Sequence, residues 1–450
     1  MYIYRVQELV WILYGRNLRI AGPGNRMDRQ PLIIGIDLTN EYCQASYYNL
    51  HHARAESVMT GSAVMRYMIP LTLCYNKEKN IWLIGEEAML HAEETGVTLY
   101  KDILNDMFAG AECTVDGKKY AYDTLLAMYF GKLFELIQIN SGLMAVESVT
   151  VTMRRVNLEV KEKLESVFDK LQIAAEAVRV ISYAESFAYY VLNEDESLWK
   201  DGALLFDFDQ NGFFTKQMTI PKETGKPLVY INENSYSMEF YIKDLASTML
   251  RKQMDSRMSQ IYEDVQLAGK KCSVFFTGTG FSELWFDETL QLISRNYRVF
   301  KGNNLYVKGA ALAGYIRAFK GGRDYPIICR GRTKASISCT ARVNGMIEEV
   351  ELSGACVDWY DASSTTDFIL TDEPKVKFIV TSLISQERSE IEMDLGGFPK
   401  RADKTTRVQV TVHYVNAAEC DIEVKDKGFG EFFEGSGQTV TKRLNLEGYI

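Results

Sequence analysis

Between Pro31 and Phe319 the chain runs twice through one order of patterns, and each run opens on a short apolar segment ending in aspartate. The first opener is LIIGIDL, which carries Asp37, and the second is GALLFDFD, which carries Asp207. A continuous apolar run bounded by turn residues marks a strand buried on both faces. CQASYYNL reads as the hairpin partner of the first opener. MIPLTLCYN and IWLIGEEA read as a further strand pair around the polar turn NKEKN. YDTLLAMYFGKLFELIQIN has apolar residues at helical intervals, ESVTVTM is a strand, and VNLEVKEKLESVFDKLQIA is an amphipathic helix. VRVIS and ESFAYYVLN close the first run as strand and helix. In the second run KQMTIP and LVYIN continue the opener as antiparallel strands, and one long helix spans EFYIKDLASTMLRKQM and on to Ala268. CSVFFTGTG follows as a strand, then SELWFDETLQLISR and KGAALAGYIRAF as helices. This duplication predicts an α/β domain over residues 31–322, with lobe I at about 31–200 and lobe II at about 201–322.

After the boundary stretch KGGRDYPIICRGR the texture changes. From Ser336 to Leu446, β-branched, aromatic and polar residues alternate, with turns every eight to twelve residues. VKFIVTSLI, SEIEMDL, RVQVTVHYV and CDIEVKDKG fit an all-β sandwich, expected over residues 335–450. At 450 residues the chain exceeds what one core serves. Its net charge of −9 and lack of a long Lys/Arg run argue against nucleic acid as a partner. Eight cysteines are spread singly, without a Cys-x-x-Cys pair, so neither a zinc site nor a disulfide scaffold is expected. Reduced thiols and a cytoplasmic location follow as the expectation. Residues 1–30 read as an N-terminal extension outside the fold; their apolar run is broken by Arg16 and Arg19 and is too short to span a membrane. No membrane association is expected.

With these segments in order, the chain resembles the DnaK-type heat-shock chaperones (the heat-shock protein 70 family, within the actin-like ATPase superfamily) from about Leu32 to Leu446. GIDLTNEYCQAS stands where that family has a Gly-Ile-Asp-Leu-Gly-Thr-Thr phosphate hairpin. LLFDFDQNGFF stands where it has Phe-Asp-Leu-Gly-Gly-Gly-Thr-Phe-Asp. VFFTGTGFSEL is similar to the adenosine-loop strand and its glycine turn, and VKGAALAGYI to the last helix of the ATPase domain. SEIEMDLGGFPKRADKTTRVQVTVHYVNAAECDIEVKDKGFGEFF is similar to the peptide-binding β-domain.

The resemblance implies an α/β actin-like ATPase fold of two duplicated, ribonuclease H-like lobes, followed by a β-sandwich. It implies ATP or ADP with Mg²⁺ in the cleft, the metal held by Asp37 and Asp207. Lys101 would orient the attacking water, and Glu185 would relay nucleotide state. Thr39, Asn40, Gly212, Gly278 and Gly280 would contact the nucleotide. The sandwich would bind a peptide or a protein partner. The sequence ends at Ile450, soon after the sandwich, and a lidless member of the family is the expectation.

The departures are chemical ones. Thr39, Asn40 and Glu41 replace a glycine and two threonines, and a carboxylate facing phosphate costs about a kcal/mol or more. Asp209, Gln210 and Asn211 replace three glycines that let backbone approach phosphate, and Phe214 replaces the second Asp. Thr152 stands where the family has a switch proline. Three readings stay open: a chaperone-like protein binding nucleotide weakly, a pseudo-ATPase scaffold or adaptor, and, ranked last, an actin-like filament protein. Efficient ATP hydrolysis is not expected.

Overall fold

The computed structural model describes residues 30–60, 67–143, 145–221, 228–269, 272–320, 324–371 and 374–449. Apart from Gln30, the N-terminal extension lies outside the described residues. The chain divides into two compact units: residues up to Gln217 with Asn234–Asp324, and Met218–Glu233 with Tyr325–Ile450. Residues 218–233, placed by the sequence in lobe II, therefore belong to the second unit. There Val229 and Tyr230 pair in parallel with Ile327 and Ile328, a partnership no local pattern reveals.

In the first unit the two Asp-ended segments are central strands of two sheets. Pro31–Leu38 lies between the hairpin strand Tyr42–Asn49, antiparallel to it, and Ala145–Met153, parallel to it; Arg54–Ser57 and Val178–Ser182 flank these. Gly202–Asp209 lies between its hairpin neighbour Gly212–Thr219 and the parallel strand Cys272–Thr277, with Arg298–Lys301 beyond. The two sheets thus share one strand order. Both central strands are almost entirely buried, which their unbroken apolar runs require.

Most helices form where the apolar spacing places them. IWLIGEEA, read as a strand, is one only over Ile81–Ile84 and turns into a helix at Gly85–Leu90. Two further segments are helical over less than their spacing suggests. Tyr122–Ser141 stops at Gly142, whose φ of 70° suits the left-handed C-cap position. Tyr183–Asn193 opens with a full capping box between Ser182 and Glu185. The long helix read from Glu239 onward starts only at Thr248, because Ser247 caps the Leu250 N–H after a 3₁₀ turn at Ile242–Ala246. The segment SELWFDETLQLISR is helical only over Asp287–Ser294. Ahead of it Trp285 turns inward, its indole N–H donating to the Gly280 carbonyl at 2.7 Å. Aromatic packing wins there over helical propensity: Phe208, Phe276, Phe281, Trp285 and Phe286 share one core.

The helix Leu305–Phe319 packs on both Pro31–Leu38 and Tyr183–Asn193. Two glycines make this approach possible. A Cβ at Gly35 would lie 2.4 Å from the Ala311 nitrogen, and one at Gly309 would lie 2.0 Å from the Ser186 carbonyl oxygen.

In the second unit, Ala335–Val343 lies between Met346–Ser353 and Lys375–Ser382, with Arg388–Asp394 at the edge. A second antiparallel sheet is built on Thr406–Asn416 and Glu419–Phe429, joined by Ser364–Leu370 and Thr439–Asn445. Ile337, Phe378 and Val380 of the first sheet share a core with Val408, Val410, Val412, Ile422 and Val424 of the second. Alternation along Thr406–Asn416 buries every second residue from Val408 to Tyr414. Asp426, 1% exposed, is held by both Arg401 guanidinium nitrogens at 2.7 and 2.8 Å.

Gly309→Ala removes a mid-helix glycine, which by propensity alone stabilises by about 1 kcal/mol. Because the added methyl meets a backbone oxygen, the net expectation is destabilisation by about 2 kcal/mol, read from the midpoint of urea denaturation.

Candidate functional site

The sheets bring three aspartates to two strand ends: Asp37 at 3% exposure, Asp207 at 1% and Asp209 at 7%. Register sets the first neighbour. Thr152 pairs with Asp37 along the parallel strands, so Arg154 leaves the Ala145–Met153 strand beside the aspartates. Its Nη1 donates to Asp207 Oδ2 at 2.9 Å and its Nη2 to Asp209 Oδ2 at 2.7 Å. Its guanidinium carbon lies over the Phe214 ring, 4.2 Å from the centroid, and over the Tyr183 ring, 5.1 Å from the centroid. Lys216, 1% exposed, sets Nζ 3.6 Å from Asp207 Oδ2. Tyr306 donates its hydroxyl to Asp207 Oδ2 at 2.7 Å, and Tyr183 donates to Asp37 Oδ1 at 2.6 Å. The two tyrosine rings stack at 3.9 Å, so the hydroxyl donors of both strand ends meet as one pair.

Burial and charge treat the three carboxyls differently. Burial pushes Asp37 up to about 7, against the opposing hydrogen bond from Tyr183 and the charge of Arg154. Burial also acts on Asp207, but Arg154, Lys216 and the Tyr306 hydroxyl outweigh it and hold the carboxyl below its ordinary range. Asp209 is raised, first by burial and then by the Asp207 charge. With Asp37 neutral, the charges of Asp207 and Asp209 are matched by Arg154 and Lys216.

The loops expected to cradle phosphate satisfy their own polar groups. The Thr39 hydroxyl donates to the Tyr42 carbonyl at 2.9 Å and accepts the Tyr42 N–H at 3.0 Å. Asp209 Oδ1 accepts the Asn211 N–H at 2.8 Å. The close-approach glycines meet protein atoms. A Cβ at Gly278 would lie 2.2 Å from the Phe208 carbonyl oxygen, and one at Gly280 would lie 2.2 Å from the Phe208 ring. One at Gly212 would lie 2.1 Å from Ser237 Cβ. Glu185 accepts from Ser182 N–H at 2.9 Å and pairs with Arg179 at 3.3 Å, the local role of a helix-start acid. Lys101 is exposed beyond the strand Val97–Tyr100 and takes no part in the aspartate network.

A cleft of about 470 Å³ opens beside this network, lined by Thr39, Asn40, Glu41, Tyr42, Asp209 and Asn211 among others, with no lysine or arginine in its wall. That lining does not suit phosphates. Mg²⁺ requires oxygen ligands in a nearly regular octahedron. Asp207 is already engaged by Arg154 and Tyr306, and Asp37 by Tyr183. Among the described residues no group of three or more His, Cys, Asp or Glu is placed to hold a metal ion. The residues present do not fit the metal that the resemblance implies.

Sequence reasoning missed Arg154, Lys216, Tyr183 and Tyr306. One signal was available: Lys216 is a cation inside the strand GFFTKQMT, whose neighbours are largely buried, and such a lysine needs a counter-ion.

Fold and site together define a mixed α/β unit with a self-neutralised aspartate cleft, joined in the chain to an all-β unit. The chain belongs to the DUF5716 family: residues 54–331 match that family's C-terminal model, which is described as a family of unknown function. Residues 332–446 match a second model, DUF8552, described as a domain of unknown function. No curated protein matches the chain. No helix among the described residues is long and apolar enough to cross a membrane.

Asp37 gives a pH test of this site. Its carboxyl titrates near 7 in the folded chain and at 3.8 ordinarily, so between these values the folded state keeps a proton the unfolded state has lost. Stability from this group is complete below the lower value and falls as pH rises toward the upper one, by at most about 1.4 kcal/mol per pH unit. Asp37→Asn imitates the neutral acid. Urea titrations across this range should show the variant gaining on the wild type up to about pH 7 and holding level above it.

Proposed function

We propose that the chain is a cytoplasmic pseudo-ATPase scaffold or adaptor. On this reading an actin-like frame is kept for its shape, and the β-sandwich binds a peptide or a protein partner. The shared strand order of the two sheets, each centred on an Asp-ended strand, supports the frame. The observation that carries the reading is the filling of the close-approach glycines. Phe208 lies against Gly278 and Gly280, and Ser237 against Gly212, where a nucleotide would need bare backbone. Glu41 and Asp209 in the cleft wall add charge of the wrong sign for phosphate.

The other reading, weak nucleotide binding in a chaperone-like cycle, draws on the retained Asp37 and Asp207. Both carboxyls are engaged within the protein, which favours the scaffold. For the β unit, two antiparallel sheets with exposed edge strands support recognition of an extended segment by added backbone hydrogen bonds.

Isothermal titration of the full chain with ATP or ADP and Mg²⁺ should give no binding heat, and neither ligand should move the melting temperature. Micromolar binding of either would overturn the scaffold reading and return the chain to the nucleotide-dependent class. In parallel, a fluorescent unfolded peptide should gain anisotropy saturably with the full chain. Flat anisotropy for a panel of apolar peptides would leave partner binding through the sandwich without support.

A further inference from the structure

We infer that Arg154 is a resident cation at the aspartate cluster, and that it fastens the end of Ala145–Met153, the parallel neighbour of Pro31–Leu38, to Gly202–Asp209 with no ligand in the cleft. The inference deepens the scaffold reading and rests on it, because a nucleotide-loaded cleft would bring a counter-ion of its own.

The geometry is that of a socket for one guanidinium. Asp207 and Asp209 are two residues apart on one strand and therefore face the same side of their sheet. The two terminal nitrogens of Arg154 each take one of these carboxylates, at 2.9 and 2.7 Å. A planar, forked donor spans two acceptors in this way, whereas an ammonium is a single point of charge. The guanidinium carbon lies over the Phe214 and Tyr183 rings. Edge and face are both provided for, so the socket selects shape as well as charge.

The fastening runs from one sheet to the other. Arg154 follows Ala145–Met153, which pairs with Pro31–Leu38 in the first sheet, and both its acceptors belong to Gly202–Asp209 in the second. Tyr306 adds a parallel tie, since its helix packs on the first sheet and its hydroxyl reaches Asp207. Lys216 lies on the second sheet's own hairpin, so it balances charge there without bridging.

Arg154→Ala in the full chain tests this. Deuterium exchange at residues 37–42 and 207–212 should speed up by about tenfold or more, and the melting temperature should fall. Millimolar guanidinium should restore both saturably, while equal sodium or magnesium chloride does not, and the wild type should not respond. Should the alanine variant not fold, Arg154→Lys decides by the same exchange: it keeps the charge without the fork, and exchange should rise. Wild-type exchange in either variant overturns the inference. So does a loss that guanidinium fails to repair, or one that magnesium repairs equally well. These outcomes are separate from nucleotide titration of the wild type, on which the scaffold reading alone depends.

Discussion

A carboxyl group taken out of water must be given a countercharge or keep its proton, and three aspartates at two strand ends impose that demand on the first unit. Asp207 and Asp209 meet it with Arg154 and Lys216. Asp37 meets it by holding its proton to about pH 7 and accepting the Tyr183 hydroxyl. Other placements follow from this. Ala145–Met153 must end where it does for the arginine to emerge beside the aspartates. The helices that begin near Tyr183 and Tyr306 must bring their first turns within reach. Gly309 lets these two helices approach closely enough for the rings to stack.

The order of elements was legible because each rests on a local rule. LIIGIDL is apolar but for Asp37 and becomes a strand buried on nearly every residue, and RVQVTVHYV alternates and becomes a strand with one face in a core. Local rules failed where a distant partner decided. Trp285 leaves the helix that its neighbours favour because the Gly280 carbonyl and an aromatic core receive it. Val229–Ser235 follows Gly212–Thr219 in the sheet order, as its sequence suggests, but its second neighbour, Ile327 and Ile328, lies about a hundred positions along the chain, where no local pattern points.

The same contrast applies at the site. Asp37 and Asp207 can be picked out as the polar ends of apolar strands, and the glycines as points of close approach. What approaches them could not be read. Arg154 meets Asp207 across 53 positions, Tyr306 meets it across 99, and Tyr183 meets Asp37 across 146. No spacing rule joins residues so far apart. The glycines misled in a specific way: Gly278 and Gly280 do admit a close neighbour, but that neighbour is Phe208 of the same chain. A glycine reports that something comes near and is silent on whether it is ligand or protein.

The unequal handling of the two strand ends also reaches the surface of the molecule as an electrical property. The formal charge of −9 counts every aspartate as ionised. With Asp37 protonated below neutrality, the folded chain carries one negative charge fewer than that sum from this residue, while Asp207 contributes in full. Asp37 by itself therefore makes the folded chain less negative than the unfolded one in mildly acid buffer, and the difference fades as the buffer passes neutrality. Two sheets alike in strand order thus differ in how their central aspartates hold a proton.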